Sequence, residues 1–312
     1  MGLAKNSFGS RSTAEEVRRD ISLAGKTAIV TGASAGLGVE TTRVLALAGA
    51  NVTLAVRNVA AGEEVAQKLR ATLPATAGKL EVMELDLGKL ASIRAFAEKF
   101  LATHAALHLL VNNAGVMAPP LGKTSDGFET QMGTNHLGHF LLTNLLLERI
   151  KASAPARIVL LSSEAHRRGS KEGLLATLET DPNYTKRSYS AFGAYGDSKL
   201  ANILFGKGLA KRLAGTNVLA VSLHPGVIAT SLSRHLGPIQ YLMKWFGGLF
   251  LKSVPQGSAT SVFAATAPEL TMEHAGIYLS DCNEMQPIPA GVDLELAERV
   301  WAVSEKLTGL SS

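Results

Sequence analysis

Short apolar runs alternate with amphipathic stretches of helical length along most of the chain. The runs are rich in Val, Ile and Leu and are continuous, which is typical of strands buried on both faces of a parallel sheet. Segments of helical length between consecutive strands indicate βαβ units. The predicted strands span 27–32, 51–56, 79–86, 107–115, 157–163, 217–226 and 276–280. The predicted helices span 36–48, 60–72, 89–103, 127–150 and 194–213.

This order of elements predicts the fold class. We expect an α/β protein with a doubly wound parallel sheet of Rossmann type. No internal repeat or linker divides the chain, so a single domain is predicted over residues 1–312, with a polar N-terminal arm over 1–24. Two loops stand out: 164–193 is rich in charge, Gly, Ser and Tyr, and 231–256 follows the sixth predicted strand.

Composition excludes several classes of protein. Hydrophobic residues make up 46% of the chain and charged residues 18%, which favours a large core over disorder. The net charge of +5 is modest and no basic stripe with interleaved aromatics occurs, so nucleic acid is not an expected partner. The single cysteine, Cys282, forms no disulfide within the chain, and we expect no metal site. No signal peptide or apolar run of membrane-spanning length occurs, so we expect a cytoplasmic protein without membrane contact.

The stretch "TGASAGLG" at 31–38 ends the first predicted strand and begins a helix. Its glycines, Gly32, Gly36 and Gly38, allow a sharp turn and a close approach of the backbone to a pyrophosphate. The N–H groups at the start of the following helix would then bind the phosphate oxygens. A glycine cluster can also be only a tight turn, and its place after the first strand is what favours dinucleotide binding.

The residue after the second predicted strand distinguishes the two nicotinamide cofactors. An acid at this position would hydrogen-bond the ribose 2′-OH of NAD. Arg57 stands there instead. A guanidinium pairs with a 2′-phosphate, so the sequence predicts NADP(H), with an added hydrogen bond from Ser34.

The stretch "AYGDSKLAN" at 194–202 lies in a helical pattern and separates Tyr195 from Lys199 by four residues. On a helix this spacing places both side chains on one face. A phenol ordinarily titrates near ~10, and a neighbouring ammonium favours the phenolate, so we expect a lowered pKa for Tyr195. General acid–base catalysis requires a group tuned in this way. Such pairs also occur on ordinary solvated helices, and the pair alone does not separate the two interpretations.

Four motifs in the same order resemble those of the short-chain dehydrogenase/reductase family. They are the glycine turn 31–38, "NNAG" at 112–115, "YGDSK" at 195–199 and "HPGVIAT" at 224–230. The resemblance covers approximately residues 25–230. It supports the acid–base interpretation of the Tyr–Lys pair.

A narrower resemblance points to one branch of that family. "GTNHLGHFLLTNLLL" at 133–147, "SSEAH" at 162–166 and "YGDSKLANILF" at 195–205 are similar to the retinol dehydrogenase-like branch. That branch includes the WW-domain oxidoreductases and a chloroplast envelope member, and protochlorophyllide reductases are close relatives. We expect neither a WW domain nor the membrane helix of many retinol dehydrogenases in this chain.

The resemblance implies a role for each catalytic candidate. Tyr195 would exchange the proton, and Lys199 would also hydrogen-bond the nicotinamide ribose. Ser163 would hydrogen-bond the substrate oxygen and stabilise its developing charge. Asn135 would hold a water in a proton relay through Lys199.

The resemblance also implies the cofactor contacts. Asp86 is similar to the acid that contacts the adenine, and Thr230 would bond the nicotinamide carboxamide, assisted by the backbone near Ile228. The full predicted set is Gly32, Ser34, Gly36, Leu37, Gly38, Arg57, Asp86, Asn113, Ala114, Gly115, Tyr195, Lys199, Pro225, Gly226, Ile228 and Thr230.

Other conspicuous residues have simpler interpretations. His136 and His139 lie three apart without carboxylates or cysteines nearby, so we expect packed or solvated helix histidines and not metal ligands. The segment 231–253 is unusually apolar for a loop. A lid over an apolar substrate is the favoured interpretation, and core or dimer contact and a membrane-surface helix remain alternatives.

Together these features predict an NADP(H)-dependent oxidoreductase that interconverts an apolar alcohol and its aldehyde or ketone. One alternative is an NADPH-dependent C=C reductase similar to protochlorophyllide reductase. Another is an NADP(H)-binding redox sensor or scaffold without turnover. The expected partner is a small apolar carbonyl or alcohol, and the resemblance implies a homodimer or homotetramer.

Overall fold

The computed structural model describes residues 3, 6–228 and 251–310. In this part of the chain eight strands form one sheet, in the order β3-β2-β1-β4-β5-β6-β7-β8. Neighbouring strands are parallel except for the short β7–β8 pair at the edge. The strands are β1 Thr27–Thr31, β2 Asn51–Val56, β3 Leu80–Glu84, β4 Leu109–Asn112, β5 Ala156–Leu161, β6 Val218–His224, β7 Tyr278–Ser280 and β8 Asn283–Glu284. This architecture confirms the predicted doubly wound α/β fold.

The helices connect the strands across both faces of the sheet. The α-helices are α1 Ala14–Val17, α2 Gly36–Leu47, α3 Val59–Thr72, α4 Leu90–Thr103, α5 Gly138–Ala152, α6 Lys171–Leu175, α7 Ala191–Arg212, α8 Val254–Thr266 and α9 Leu294–Thr308. Two π-helical segments, Met132–Leu137 and Ala176–Thr180, directly precede α5 and follow α6. Short 3₁₀ turns occupy Glu164–Arg168, Met272–His274 and Pro289–Val292.

The order of the strands produces one reversal, between β1 and β4. From β1 the chain moves outward through β2 to β3, then returns to the other side of β1 with β4 and continues outward. At such a reversal the loops after the two central strands diverge and leave a crevice at the carboxyl ends. The structure therefore sets a ligand crevice between the loops after β1 and β4.

Two hydrophobic layers hold the helices to the sheet. One includes Val44 of α2 and Phe263 of α8 and covers one face. The other includes Phe100 of α4, Leu141 of α5 and Phe205 of α7 and covers the opposite face. Burial on both faces explains why the strands are continuously apolar in sequence.

Several strands end earlier than predicted. The predicted third, fourth and fifth strands extend to residues 86, 115 and 163, whereas β3, β4 and β5 end at Glu84, Asn112 and Leu161. In each case the chain leaves the sheet just before a predicted site residue. The apolar pattern continues into these loops because their first residues are still partly covered, so hydrophobicity alone does not locate the end of the strand.

The helix predictions also need correction. The helix predicted over 127–150 begins as a π-helical segment at Met132, and α7 begins at Ala191, capped by the Ser190 hydroxyl, rather than at 194. Helices α8 and α9 were not predicted. The loop prediction for 231–256 is wrong at its end, because α8 begins at Val254 behind a capping box formed by Ser253 and Gln256.

Helix α9 packs on the outer side of α5 and α7. Its Trp301 is buried with edge-to-face or tilted contacts to Phe140 and Phe205. Arg212 of α7 stacks on the other side of the indole, 3.8 Å from the ring centroid. Helix α9 therefore covers part of the outer surface of α5 and α7 within the chain.

The N-terminal arm is packed and not merely polar. Ala14 and Val17 of α1 are buried, and Phe8 makes an edge contact with Phe263 of α8. A capping box between Thr13 and Glu16 fixes the start of α1. Ala14 and Val17 are three residues apart, so both lie on the face of this helical turn that packs on the body.

Candidate functional site

An open cleft with a cavity volume of about 260 Å³ lies at the carboxyl ends of the central strands. It occupies the crevice expected where the strand order reverses. Most of the predicted cofactor contacts line it. These are Gly32, Ser34, Gly36, Leu37, Gly38, Arg57, Asp86, Asn113, Ala114, Gly115, Tyr195, Lys199 and Pro225. Their proximity is a structural finding, and their roles as cofactor ligands remain predictions.

The glycine turn between β1 and α2 forms one wall of the cleft. Gly32 and Gly36 have positive φ values of 66° and 56°, a conformation that favours glycine. A Cβ on Gly38 would lie 2.4 Å from the carbonyl oxygen of Gly32, so the turn has no room for a side chain there. Ala35, the N-cap residue of α2, offers no side-chain acceptor. The first N–H groups of α2 therefore remain available to an anion in the cleft.

The loop after β4 is fastened to this turn by Thr31. The Thr31 hydroxyl accepts hydrogen bonds from the backbone N–H groups of Asn113 and Ala114, both at 2.9 Å. The Asn113 amide in turn donates to the carbonyl oxygen of Thr31. Gly32 lies so close to this loop that a Cβ on it would sit 2.9 Å from the Cα of Ala114. The glycine turn and the loop after β4 are thus held against each other.

Arg57 and Asp86 lie at the far end of the cleft. Arg57 directly follows β2 and is exposed, and Ser34 lies across from it in the glycine turn. The Asp86 carboxylate accepts a hydrogen bond from Gly88 N–H at 2.9 Å and lies 3.7 Å from the Lys89 ammonium. This end therefore combines an exposed guanidinium with a carboxylate that is partly engaged by its own loop.

Tyr195 and Lys199 meet at the other end of the cleft. Both project from one face of α7 and are buried, with 5% and 4% of their surface exposed. The Lys199 ammonium donates to the carbonyl oxygen of Leu161 at 3.0 Å and lies 5.5 Å from the centroid of the Tyr195 ring. An ammonium has three N–H donors, and the Lys199 ammonium lies beside the cleft. The geometry leaves donor capacity for a hydroxyl group bound in the cleft.

The direction of the tyrosine pKa shift is opposite to the expected one. Burial raises the pKa of Tyr195 to about 12, and contact with the Ser163 hydroxyl lowers it by less. Burial also lowers the pKa of Lys199 to about 8. Both groups lose hydration, and each shift favours the neutral form. The expectation of a net lowered pKa for Tyr195 is therefore wrong, because desolvation is the largest effect on this buried side chain.

The two serines after β5 have different surroundings. Ser162 is buried, lines the cleft and donates its hydroxyl to the carbonyl oxygen of Lys199 at 2.7 Å. Ser163 is half-buried and lies outside the cleft lining, and its hydroxyl accepts from Ala165 N–H at 3.2 Å. Ser163 thus contacts the phenol of Tyr195. Ser162 hydrogen-bonds the backbone of α7, the helix that carries Tyr195.

Asn135 lies behind the cleft wall, in the π-helical segment before α5. Its amide oxygen accepts from Val116 N–H at 2.8 Å, and its NH₂ group donates to the Val116 carbonyl and to the Ser198 hydroxyl, both at 3.0 Å. It makes no direct hydrogen bond to Lys199 among the described contacts. A Cβ on Gly115 would lie 3.2 Å from the Asn135 amide oxygen and 3.5 Å from the Lys199 nitrogen. Glycine at 115 thus leaves open the space between these two groups.

The segment after β6 is only partly described. Pro225 lines the cleft, whereas Gly226 and Ile228 do not. Gly226 has a φ of 95° and is covered by the Lys252 side chain, which forms an ion pair with Asp281. Ile228 forms a parallel bridge with Lys252 and packs on Gly257. The predicted contact Thr230 and most of the predicted lid, 231–250, lie outside the described residues.

A polar cluster that the sequence analysis missed joins the segment after β4 to the start of α7. The Gln131 amide accepts from Ala118 N–H and donates to the Tyr189 hydroxyl and to the carbonyl of Ala191, the first residue of α7. Glu129 accepts from Gln131 N–H and from the Tyr189 hydroxyl. Burial raises the pKa of the Glu129 carboxyl. The one sequence signal is a pair of polar residues just before an apolar helix, which is typical of helix capping.

The histidines near the site are packed, as expected for His136 and His139. Both are fully buried; His136 hydrogen-bonds the Ser304 hydroxyl of α9 at 2.8 Å. His166 is also buried, and it hydrogen-bonds the carbonyl of Ser163 at 2.7 Å. Within the described ranges, no group of three or more His, Cys, Asp or Glu side chains is arranged to hold a metal ion. No helix in the same ranges is long and apolar enough to span a bilayer.

The sequence of this chain is similar to those of known dehydrogenases. Residues 26–174 match the sequence model described as short chain dehydrogenase. The chain is 47% identical to mouse (Mus musculus) retinol dehydrogenase 12 over 291 residues, which cover 93% of this chain and 89% of the relative. It is 41% identical to the chloroplastic short-chain dehydrogenase TIC 32 A of Brassica napus, over 97% of this chain and 95% of the relative.

Solved structures have the same architecture. An uncharacterized protein from Mycobacterium paratuberculosis superposes with a TM-score of 0.72 at 36% identity, covering 94% of this chain and 97% of that one. The RhlG/NADP active-site complex of Pseudomonas aeruginosa superposes with a TM-score of 0.61 at 27% identity, covering 81% and 94%. The similarity covers most of this chain and nearly the whole of each solved structure.

Proposed function

Since this chain belongs to the short-chain dehydrogenase family, in its retinol dehydrogenase-like branch, we propose that it is an NADP(H)-dependent enzyme that interconverts an apolar alcohol and its aldehyde or ketone. The observation that carries the proposal is the buried pair of Tyr195 and Lys199 at one end of the cleft, with the glycine turn beside it. The names of its relatives support an alcohol substrate, because retinol is an apolar alcohol.

The cleft fits a nicotinamide dinucleotide. Its glycine wall presents uncapped N–H groups of α2, which suit a pyrophosphate. The Lys199 ammonium, beside the cleft and held by one carbonyl, suits a ribose hydroxyl. Bound NADPH would supply the hydride that reduces the carbonyl carbon. The protein's part is to bind and orient both molecules and to provide the proton.

The protonation states support proton donation by Tyr195. Because burial raises its pKa to about 12, the phenol keeps its proton at neutral pH and can donate it to a carbonyl oxygen. Because burial lowers the pKa of Lys199 to about 8, its ammonium persists at pH 7 and stabilises the phenolate left behind. The Ser163 hydroxyl, in contact with the phenol, would donate to the same substrate oxygen. The resting site is therefore set for reduction, and the reverse reaction requires removal of the phenol proton.

We expect kcat for carbonyl reduction to fall as the pH rises through about 8. Below that pH Lys199 is an ammonium, and above it the amine no longer stabilises the phenolate. The measurement is a pH profile of kcat at saturating NADPH. Lys199→Arg is the control, because arginine keeps its positive charge at all these pH values. The activity that remains in this variant should not decline near pH 8. A wild-type profile that stays flat to about pH 10 would contradict this role of Lys199.

We expect Arg57→Asp to weaken NADPH binding by about 10–100-fold and to leave NADH binding equal or improved. A hydrogen bond to a charged group contributes about 1.5–3 kcal/mol, which corresponds to this range. Dissociation constants from fluorescence titration of both cofactors provide the test. Lys68→Asp is the matched control, because it makes the same charge change at an exposed position of α3 outside the cleft lining. Equal wild-type affinity for NADPH and NADH, or equal losses in both variants, would overturn the assignment of Arg57.

A further inference from the structure

His139 is a buried residue that the proposed reaction does not use. It is the second residue of α5, only 1% exposed, and it does not line the cleft. Both of its ring nitrogens have partners. Nε2 lies 2.9 Å from the Thr31 hydroxyl, and Nδ1 lies 3.0 Å from the carbonyl oxygen of Asn135. The imidazole therefore bridges the end of β1 and the π-helical segment that carries Asn135.

The surrounding hydrogen bonds determine which nitrogen carries the proton. The Thr31 oxygen already accepts two N–H groups, from Asn113 and Ala114, which uses both of its lone pairs. Its own proton must then be donated, and Nε2 of His139 at 2.9 Å is a nearer acceptor than the Val111 carbonyl at 3.5 Å. Nε2 is thus the acceptor, and Nδ1–H donates to Asn135. Burial lowers the pKa of His139 to about 3, which agrees with a neutral ring.

The chain of hydrogen bonds continues to the catalytic helix. The Asn135 NH₂ group donates to the Ser198 hydroxyl at 3.0 Å, and that hydroxyl donates to the carbonyl oxygen of Tyr195 at 2.8 Å. Asn135, Ser198 and Thr31 are all completely buried. Every link has a fixed direction, because each hydroxyl and each ring nitrogen has only one arrangement that satisfies its neighbours. The chain of hydrogen bonds therefore runs from the loop after β4, through Thr31 and His139, to the backbone of Tyr195.

We propose that His139, as its Nδ1–H tautomer, is a positioning residue that holds Asn135 and, through Ser198, the Tyr195 turn of α7 in register with the cofactor turn. This role rests on the proposed function, in which Tyr195 exchanges the proton. His139 does not line the cleft. It acts through its hydrogen bond to the carbonyl oxygen of Asn135. Loss of this donor would leave the buried carbonyl with one hydrogen bond fewer, which costs stability and position.

The neighbouring histidine provides a matched control. His136 lies three residues earlier and is equally buried, but its Nε2 hydrogen-bonds Ser304 of α9, on the side away from the cleft. The same helix also suggests a conservative replacement. Asn144 of α5 donates its side-chain NH₂ to the carbonyl of Phe140, four residues earlier, at 2.8 Å. An asparagine at 139 is placed to make the same bond to Asn135, again four residues earlier.

We expect His139→Phe to lower kcat about tenfold while the dissociation constant of NADPH stays within about twofold, because Thr31 keeps both of its N–H donors. His139→Asn should restore kcat to within about threefold of wild type, and His136→Phe should leave kcat within about twofold. All variants are compared below their melting temperatures. A structural role alone predicts similar losses for His139→Phe and His136→Phe and no rescue by asparagine, and that result would overturn the proposal.

A measurement on the wild-type protein tests the tautomer without any variant. ¹⁵N-resolved NMR of the His139 ring is expected to show a protonated Nδ1 and an unprotonated Nε2. The opposite tautomer would overturn the proposal even if His139→Phe failed to fold. The two proposals also fail in distinguishable ways. Wild-type protein without carbonyl turnover would overturn the proposed function and this role with it, whereas turnover that His139→Phe leaves unchanged would overturn the positioning role alone.

Discussion

Replacing Tyr195 by phenylalanine is expected to lower kcat for carbonyl reduction by about 10²–10⁴-fold, the range typical of a lost acid–base group. The variant keeps the aromatic ring and removes only the hydroxyl. Because Ser163 is the one hydrogen-bonding partner of the phenol hydroxyl within the described residues, the fold should tolerate the change. The dissociation constant of NADPH should stay within about twofold of wild type, so the loss would appear in kcat and not in cofactor binding.

A second tyrosine serves as the control for this variant. The Tyr184 hydroxyl is half-buried and hydrogen-bonds Thr177 at 3.1 Å, outside the cleft lining. Tyr184→Phe removes the same group and should leave kcat within about twofold. A Tyr195→Phe protein that binds NADPH and turns over within about threefold of wild type would show that another group donates the proton.

Replacing Lys199 by methionine is expected to stabilise the protein while reducing kcat at least about 100-fold. Burial lowers the pKa of Lys199 from 10.5 to about 8, so the ammonium opposes folding at neutral pH by on the order of 3 kcal/mol. Methionine has a similar length and no charge to desolvate. The Leu161 carbonyl would keep a partner, because Asn202 also donates to it at 3.1 Å. We therefore expect a gain of about 1–3 kcal/mol in the free energy of unfolding at about pH 7.

The pH dependence of this gain identifies its cause. The folded-state pKa of Lys199 lies below the unfolded value, so the cost of burying the ammonium is fully present below about pH 8 and is relieved as the pH rises toward 10.5. Urea denaturation of wild type and Lys199→Met should differ most near pH 7 and least near pH 10. The control is Lys207→Met on the same helix, where the lysine is only half-buried and outside the cleft, so a smaller gain and normal kcat are expected. A destabilised or fully active Lys199→Met protein would contradict the account of this residue.

The stability change and the activity change of Lys199→Met have the same origin. Among the described residues no carboxylate pairs with Lys199, so burial of its ammonium destabilises the fold, and the same position places the ammonium beside the cleft. Such opposition of stability and activity is common at functional sites. In this protein it is concentrated in one side chain of α7.

The sequence located most of the cleft because its motifs follow the sheet. The glycine turn ends β1, Arg57 follows β2, Asp86 follows β3 and "NNAG" ends β4, and the carboxyl ends of parallel strands meet along one edge. Spacing also placed Tyr195 and Lys199 on one face of a helix. Each of these inferences depends only on the chain's local order, and the sequence carries that information directly.

Other properties of the site depend on packing, which spacing does not reveal. The pKa of Tyr195 was expected to fall and is raised, because the extent of burial decides between a neighbouring charge and desolvation. Gln131 and Tyr189 meet although they are 58 residues apart in sequence. The sequence predicts an ordinary packed or solvated histidine at position 139. Its two partners, Thr31 and Asn135, are identified only by the distances in the structure.

Steady-state oxidation of NADPH by a panel of aldehydes, ketones and enones, with identification of the products, tests the central claim most directly. We expect turnover with aldehydes or ketones, faster for long apolar compounds than for short polar ones, and the corresponding alcohol as the product. Turnover confined to enones with reduction of the C=C bond would indicate the alternative reductase. Tight NADPH binding with no turnover of any of these compounds would contradict the assignment of Tyr195 as a proton donor to a carbonyl oxygen.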